Sequence, residues 1–88
     1  MEHLVERTTI IKCCCLIVDD NVFNRVAIKS ILKQIGNYPI YEAENGKVAI
    51  EQMNKLLNLY TIIVIFMDYE MPIMNGLEAT KEIRRMVD

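Results

Sequence analysis

Three aspartates define the chemistry open to this chain. Asp19 and Asp20 stand side by side at the end of an apolar run, Lys12 to Val18, and Asp68 closes a second apolar run, Ile62 to Met67. Carboxylates held close together repel, so either one keeps its proton or a cation neutralises the group. A compact pocket of oxygen ligands suits Mg²⁺, which keeps several waters and accepts one or two carboxylates. A metal held there can bridge to a phosphoryl oxygen and offset its charge. A carboxylate aimed at the same ion can serve as nucleophile and form an acyl phosphate. The ordinary alternative is that an acid at a strand end simply caps the helix that follows. Two acids on one strand and a third on another are less ordinary than a single cap, and the residues alone leave both readings open.

For the three acids to meet, the two apolar runs must be neighbouring strands that end on the same rim. Lys12 to Val18 is apolar without alternation, as in a strand covered on both faces of a parallel sheet. Asn21 can cap the next helix, in which Phe23, Val26, Ala27, Ile31 and Ile35 recur at helical spacing and Ile28 and Leu32 widen the stripe. Gly36 ends that helix and Pro39 keeps it from resuming. Ile40 to Ala43 is short and more polar, as an edge strand should be. Asn45-Gly46 turns the chain into a second helical stripe of Val48, Ala49, Met53, Leu56, Leu57 and Tyr60. Ile62 to Met67 is β-branched and uncharged, ends at Asp68, and is the clearest buried-strand signal in the chain. Met71-Pro72 breaks regular structure. Asn75 with Glu78 three residues later signals the start of a third helix, with Leu77, Thr80, Ile83, Met86 and Val87 facing inward.

The alternation of strands and helices implies parallel pairing and right-handed crossovers. The expected fold class is α/β, an open doubly wound parallel sheet of three βα units. In such sheets ligands bind beyond the C-terminal strand ends, where the strand order reverses. With the order 2-1-3, the strands ending at Asp19-Asp20 and at Asp68 lie about 4.8 Å apart, and their acids converge.

The remaining composition excludes other classes. A chain of 88 residues forms one small domain at most, and its 52% hydrophobic content is ample for a core. The net charge of −2 is spread through the chain, with no basic block for nucleic acid or a membrane surface. No apolar run approaches the ~20 residues of a membrane helix, and the first nine residues have no signal-peptide layout. Cys13, Cys14 and Cys15 are contiguous, so alternate side chains face opposite ways and cannot share one metal. They read as small apolar strand residues, and three thiols fit a reducing compartment, the cytoplasm. His3 reads as a bystander in an N-terminal segment, residues 1–11.

Three motifs carry a family resemblance. Leu16-Ile-Val-Asp-Asp-Asn21 with Asn24-Arg25, Glu42-Ala-Glu-Asn-Gly46 with Ala49-Ile50-Glu51, and Ile65-Phe-Met-Asp-Tyr-Glu-Met-Pro-Ile-Met-Asn-Gly76 resemble, in order, the first three βα units of response-regulator receiver domains. The similarity is to chemotaxis-regulator-like receivers, above all those of hybrid histidine kinases, and it runs from about Ile11 to Val87. It implies a flavodoxin-like fold and a phosphoacceptor role for Asp68. Asp20 becomes a direct Mg²⁺ ligand, Asp19 a ligand through water or an orienting acid, and Glu70 the residue whose backbone carbonyl completes the metal shell. Met71 and Pro72 shape the loop, and the donor is a phosphohistidine on a histidine kinase or a histidine phosphotransfer domain. The family has five βα units, whereas residues 12–88 supply three. The hydroxyl residue of its fourth strand and the lysine of its fifth have no counterpart here. With three units only, the third strand would be left as a long apolar edge, and the first helix would lack the packing partner that relatives provide from their last helix. The expectation is therefore a partial receiver that assists its own phosphorylation and turns over no separate substrate. One competing expectation is a truncated receiver that only docks, through the first helix with Asn24, Arg25 and Lys29. Another is an aspartyl-phosphate phosphatase, but such enzymes place a second acid as Asp two residues after the nucleophile, and here that position is Glu70.

Overall fold

The computed structural model describes residues 11–87. Apart from Ile11, the N-terminal segment with His3 lies outside the described residues, as does Asp88. The elements run β1 (Cys13–Val18), α1 (Val22–Ile35), β2 (Ile40–Ala43), α2 (Gly46–Leu56), β3 (Ile62–Met67) and α3 (Gly76–Val87). All three strands are parallel, in the order β2-β1-β3. The expected open doubly wound α/β sheet is the one the chain forms.

β1 is the central strand, and Cys14 through Val18 are all buried. Alternation divides them between two cores. Cys14, Leu16 and Val18 pack with Ala49, Met53 and Leu56 of α2 and Ile83 of α3. Cys15 and Ile17 face Leu32 and Ile28 of α1 on the other side. The cysteines thus diverge as strand residues must: Cys13 is exposed, and burial pushes the Cys14 and Cys15 thiols up, which keeps them protonated and inert.

Apolar faces are left uncovered on three elements, for one physical reason. On α1 and β3 this is the expected lack of a partner, and on α3 it corrects the inward-facing reading of Leu77 and Val87. The stripe on α1 is mostly open to solvent, with Phe23 79% and Ile35 72% exposed; Leu32 is buried and Ile28 half-buried. β3 is not fully buried. It is the apolar edge expected of a sheet with only three βα units, and its residues alternate, with Ile62, Val64 and Phe66 exposed and Ile63, Ile65 and Met67 half-buried. On α3, Leu77 and Val87 are exposed, while Ala79 and Ile83 carry the packing. Periodicity shows which face is apolar. It does not show whether another element covers it, and among the described residues none covers these.

Two local readings also shift. α2 ends at Leu56, because the N–H groups of Leu59 and Tyr60 both donate to the Leu56 carbonyl and wind the chain into a turn. Tyr60 therefore lies beyond the helix, edge-to-face on Tyr41 with ring centres 5.8 Å apart and the two hydroxyls hydrogen-bonded at 2.6 Å. Asn45 is a helix cap rather than a turn residue: its side chain accepts from the Val48 N–H at 2.9 Å. The capping signal at Asn75 holds in both directions. Asn75 Oδ1 accepts from the Glu78 N–H, and Glu78 Oε1 accepts from the Asn75 N–H.

Candidate functional site: a three-carboxylate rim

The β1–β3 register pairs Val18 with Met67, so the next residues, Asp19 and Asp68, leave the sheet together at its C-terminal rim. The ladder continues one bond past that pair, with the Asp68 N–H donating to the Val18 carbonyl at 2.8 Å. On the other flank the Asp19 N–H donates to the Ala43 carbonyl at 3.1 Å. Asp19, Asp20 and Asp68 each place a carboxylate oxygen within 4.8 Å of the others. Their burial is graded: Asp19 is buried, Asp68 half-buried and Asp20 exposed. An open cavity of about 260 Å³ adjoins the cluster, lined by Val18, Asp19, Ile28, Phe66, Met67 and Asp68.

Asp19 has every polar group engaged. Its Oδ1 accepts from the Asn21 N–H at 2.9 Å and its Oδ2 from Asn24 Nδ2 at 3.3 Å. Its backbone carbonyl accepts from Arg25 Nη1 at 2.7 Å. Asn21 in turn caps α1 by accepting from the N–H groups of Phe23 and Asn24. Asp19 thus has the bonding of an anchored acid, and Asp20 and Asp68 are the freer pair.

The loop after Asp68 is pinned by close packing. The Gly76 N–H donates to the Tyr69 carbonyl at 2.7 Å. A methyl group on Gly76 would lie 2.2 Å from the Asp68 carbonyl oxygen, so the site needs glycine for the closeness of two backbones. Between them, Ile73 has φ 72°, the one positive φ at a non-glycine position among the described residues. The Met74 N–H donates to the Pro72 carbonyl at 2.8 Å across it, a three-residue turn of the rare strained hand. Met71 is half-buried against the core, while Glu70 and Pro72 are exposed in the loop.

The donor set fits a small hard cation. Direct ligands of Mg²⁺ at about 2.1 Å span at most about 4.2 Å across the ion. A triad within 4.8 Å needs only a small rotation, or one carboxylate reaching through water.

Sequence reasoning named the three acids but missed their supports. Arg25 Nε donates to Glu42 Oε1 at 3.1 Å, and Lys29 Nζ to Glu42 Oε2 at 3.2 Å. Burial opposes the charge on Glu42, but the hydrogen bonds from Lys29 and Arg25 and the two positive charges outweigh it and hold the carboxyl below its ordinary value. The partners are 17 and 13 residues apart in sequence, beyond any local pattern. Arg25 and Lys29 do share a helix face at i,i+4, a signal that a common acidic partner was available.

Comparison with known proteins adds context to this geometry. Residues 15–88 match the response regulator receiver domain family. The chain is 40% identical over 72 residues to the two-component response regulator ORR41 of Oryza sativa subsp. japonica, covering 81% of this chain and 55% of that protein. It is 41% identical over 71 residues to the chemotaxis protein CheY of Bacillus subtilis, covering 81% and 56%. The Vibrio cholerae chemotaxis protein CheY4 superposes with a TM-score of 0.73 at 29% identity, over 86% of this chain and 59% of that one. A co-crystal of the Saccharomyces cerevisiae histidine phosphotransfer protein Ypd1 with the receiver domain of Ssk1 gives a TM-score of 0.68 at 33% identity, over 90% and 51%. The chain spans about half the length of the curated relatives it matches. No helix among the described residues is long and apolar enough to cross a membrane.

Proposed function

This chain belongs to the response regulator receiver domain family, and on that premise we propose that it accepts a phosphoryl group on Asp68 from a phosphohistidine donor in a phosphorelay. The observation that carries the proposal is the meeting of Asp19, Asp20 and Asp68 within 4.8 Å at the strand-end rim. An Asp68 carboxylate oxygen attacks phosphorus, the P–N bond to the donor histidine breaks, and the imidazole leaves with that electron pair. The product is an acyl phosphate on Asp68.

Asp20 and Asp68 would hold Mg²⁺ directly, Asp19 through water or as an orienting acid, and Glu70 through its backbone carbonyl. Bound there, Mg²⁺ supplies charge compensation between the carboxylates and the incoming phosphoryl oxygens. Asp19, fixed by Asn21, Asn24 and Arg25, keeps the rim in place. Met71 and Pro72 shape the loop that presents Asp68. Residues 12–88 act as the receiver unit, and the chain is a substrate of phosphotransfer rather than an enzyme with its own turnover.

The donor would be a histidine kinase or a histidine phosphotransfer domain. The structural likeness to a complex containing such a domain supports that choice. Three free thiols are consistent with work in the cytoplasm.

The test uses acetyl phosphate as a small donor. With Mg²⁺, the intact chain should gain one phosphoryl mass; with chelator, or with Asp68→Asn, it should gain none. Equal labelling of Asp68→Asn rejects the assignment. The exposure of Phe23 and Val22 at the start of α1, next to the rim, favours a second reading in which the chain docks without chemistry. Partner binding that persists in Asp68→Asn and ignores Mg²⁺, with no labelling of the parent chain, marks that case.

A further inference from the structure

The acid rim rests on a charged bridge that spans α1 and β2. Arg25 uses two different nitrogens for two different acceptors. Nη1 bonds the Asp19 carbonyl at 2.7 Å and Nε bonds Glu42 Oε1 at 3.1 Å. Glu42 lies opposite Ile17 in the β1–β2 register, and its other oxygen is taken by Lys29. The Arg25 side chain is 16% exposed, buried enough that its hydrogen bonds are not freely exchanged with water.

The Asp19 carbonyl belongs to the peptide that links Asp19 to Asp20. Its N-terminal neighbour is already fixed by the sheet, through the Asp19 N–H on the Ala43 carbonyl. The Asp19 side chain is fixed by Asn21 and Asn24. The orientation of the following peptide plane, and so the direction in which Asp20 leaves the strand, is set by what its carbonyl bonds. That partner is Arg25, and Glu42 holds Arg25 in place. No other side chain donates to this carbonyl among the described residues.

Building on the phosphoacceptor reading, we infer that Arg25, braced by Glu42, is a positioning residue that aims Asp20 at the space shared with Asp68 and thereby sets the site's affinity for a divalent cation. Arg25 does not touch the cation. A planar guanidinium can satisfy two acceptors at a fixed angle; a lysine ammonium at the same place carries the charge without the fork. The inference therefore makes geometry, not charge, the cause.

The probe is Mn²⁺, followed by loss of its free-ion paramagnetic resonance signal in titrations of the 88-residue chain, with Mg²⁺ as competitor. Arg25→Ala and Arg25→Lys should both weaken Mn²⁺ binding, by about fivefold to tenfold. Glu42→Gln keeps a hydrogen-bond acceptor and should weaken it by less. Far-UV circular dichroism and melting of the metal-free chains separate this from unfolding. If Arg25→Ala does not fold, Arg25→Lys and Glu42→Gln still decide the matter. Full affinity in Arg25→Lys overturns the inference by showing that charge alone suffices. A lowered melting temperature with unchanged Mn²⁺ affinity overturns it by leaving Arg25 a purely structural role. A parent chain that binds no Mn²⁺ overturns the phosphoacceptor reading and this inference together, whereas a binding parent with unaffected variants overturns this inference alone.

Discussion

Gly76 and the Asp68 carbonyl oxygen are so close that a single methyl group cannot fit between them: a Cβ at position 76 would sit 2.2 Å from that oxygen and 2.9 Å from the Tyr69 Cα. Both obstacles are backbone, so no side chain can swing aside. Gly76→Ala must push the Asp68 loop away from the start of α3. We expect a loss of about 2–3 kcal/mol, the upper part of the overpacking range, read by urea denaturation. Labelling by acetyl phosphate should fall with it even under conditions where the variant remains folded.

Ile73 bears the opposite kind of burden. It is β-branched, holds φ 72° and is 77% exposed, so its side chain contributes little that would offset a strained backbone. Asparagine tolerates this region far better. Ile73→Asn should stabilise the fold by about 1 kcal/mol, at the low end of the cost of such a conformation. A thermal melt of the variant checks this, and a lower midpoint would mean that the Ile73 side chain matters more than its exposure implies.

Glu42 makes stability depend on acid in a defined direction. Its pKa is lower in the folded chain than the ordinary 4.5, so the folded state favours its charged form. The resulting stabilisation is fully present above that ordinary value and is lost as pH falls through the lower folded value. The carboxylate is 33% exposed, which limits the effect to the range of about 0.2–1 kcal/mol found for solvent-screened pairs. Glu42→Gln should be the less stable chain at neutral pH, and the two should converge at the acid end of a series of denaturation curves.

Tyr60 gives the alkaline counterpart. Its hydroxyl is hydrogen-bonded to Tyr41, which is the main cause, and partial burial and the neighbouring Tyr41 and Cys14 add to it; together they push it from 10.0 up to about 12. A raised value means that the folded chain holds this proton more tightly than the unfolded one. The contribution is complete below pH 10 and fades as pH rises toward 12. In a spectrophotometric titration Tyr41→Phe should bring the late phenolate step back toward the ordinary tyrosine range. An unchanged late step would assign the shift to something other than the Tyr41 bond.

Self-association gives a further check on the sheet edge. β3 is six uncharged residues long, is paired on one side only, and exposes Val64 at 46%. Such an edge is a template for pairing between chains. Val64→Lys should leave the melting temperature within a few degrees of the parent while reducing light scattering at high concentration. Equal scattering by the two chains would clear this edge of responsibility.

The strands, their order and the acid rim could be read from the sequence because each rests on local signals. Val18-Asp19-Asp20 and Met67-Asp68 announce where a buried strand meets its polar end, and alternation of strands with amphipathic helices leaves few topologies. Asn75 with Glu78 announced a cap in the same local way. What stayed hidden depends on distant partners. Nothing near Arg25 names Glu42 across 17 residues, and nothing near Gly76 reveals that the Asp68 backbone passes against it. Phe23 and Ile35 have the spacing of core residues, and their lack of cover is legible only through the family resemblance, not from their own helix. Asn45 was legible in principle, since an Asn three residues before Val48 at a helix start is a capping signal, but its neighbour Gly46 suggested a turn instead.

The rim draws its acids from supports of unequal firmness. Asp19 and Asp20 grow from β1, which is sandwiched between two strands, whereas Asp68 grows from β3, which clings to the sheet along one side. Local opening of β3 would carry the proposed nucleophile away while its companions stay anchored, with the rest of the chain still folded. Any ligand that bridges the two strand ends would then act as a clasp, slowing amide hydrogen exchange along Ile62 to Met67 far more than along Cys13 to Val18.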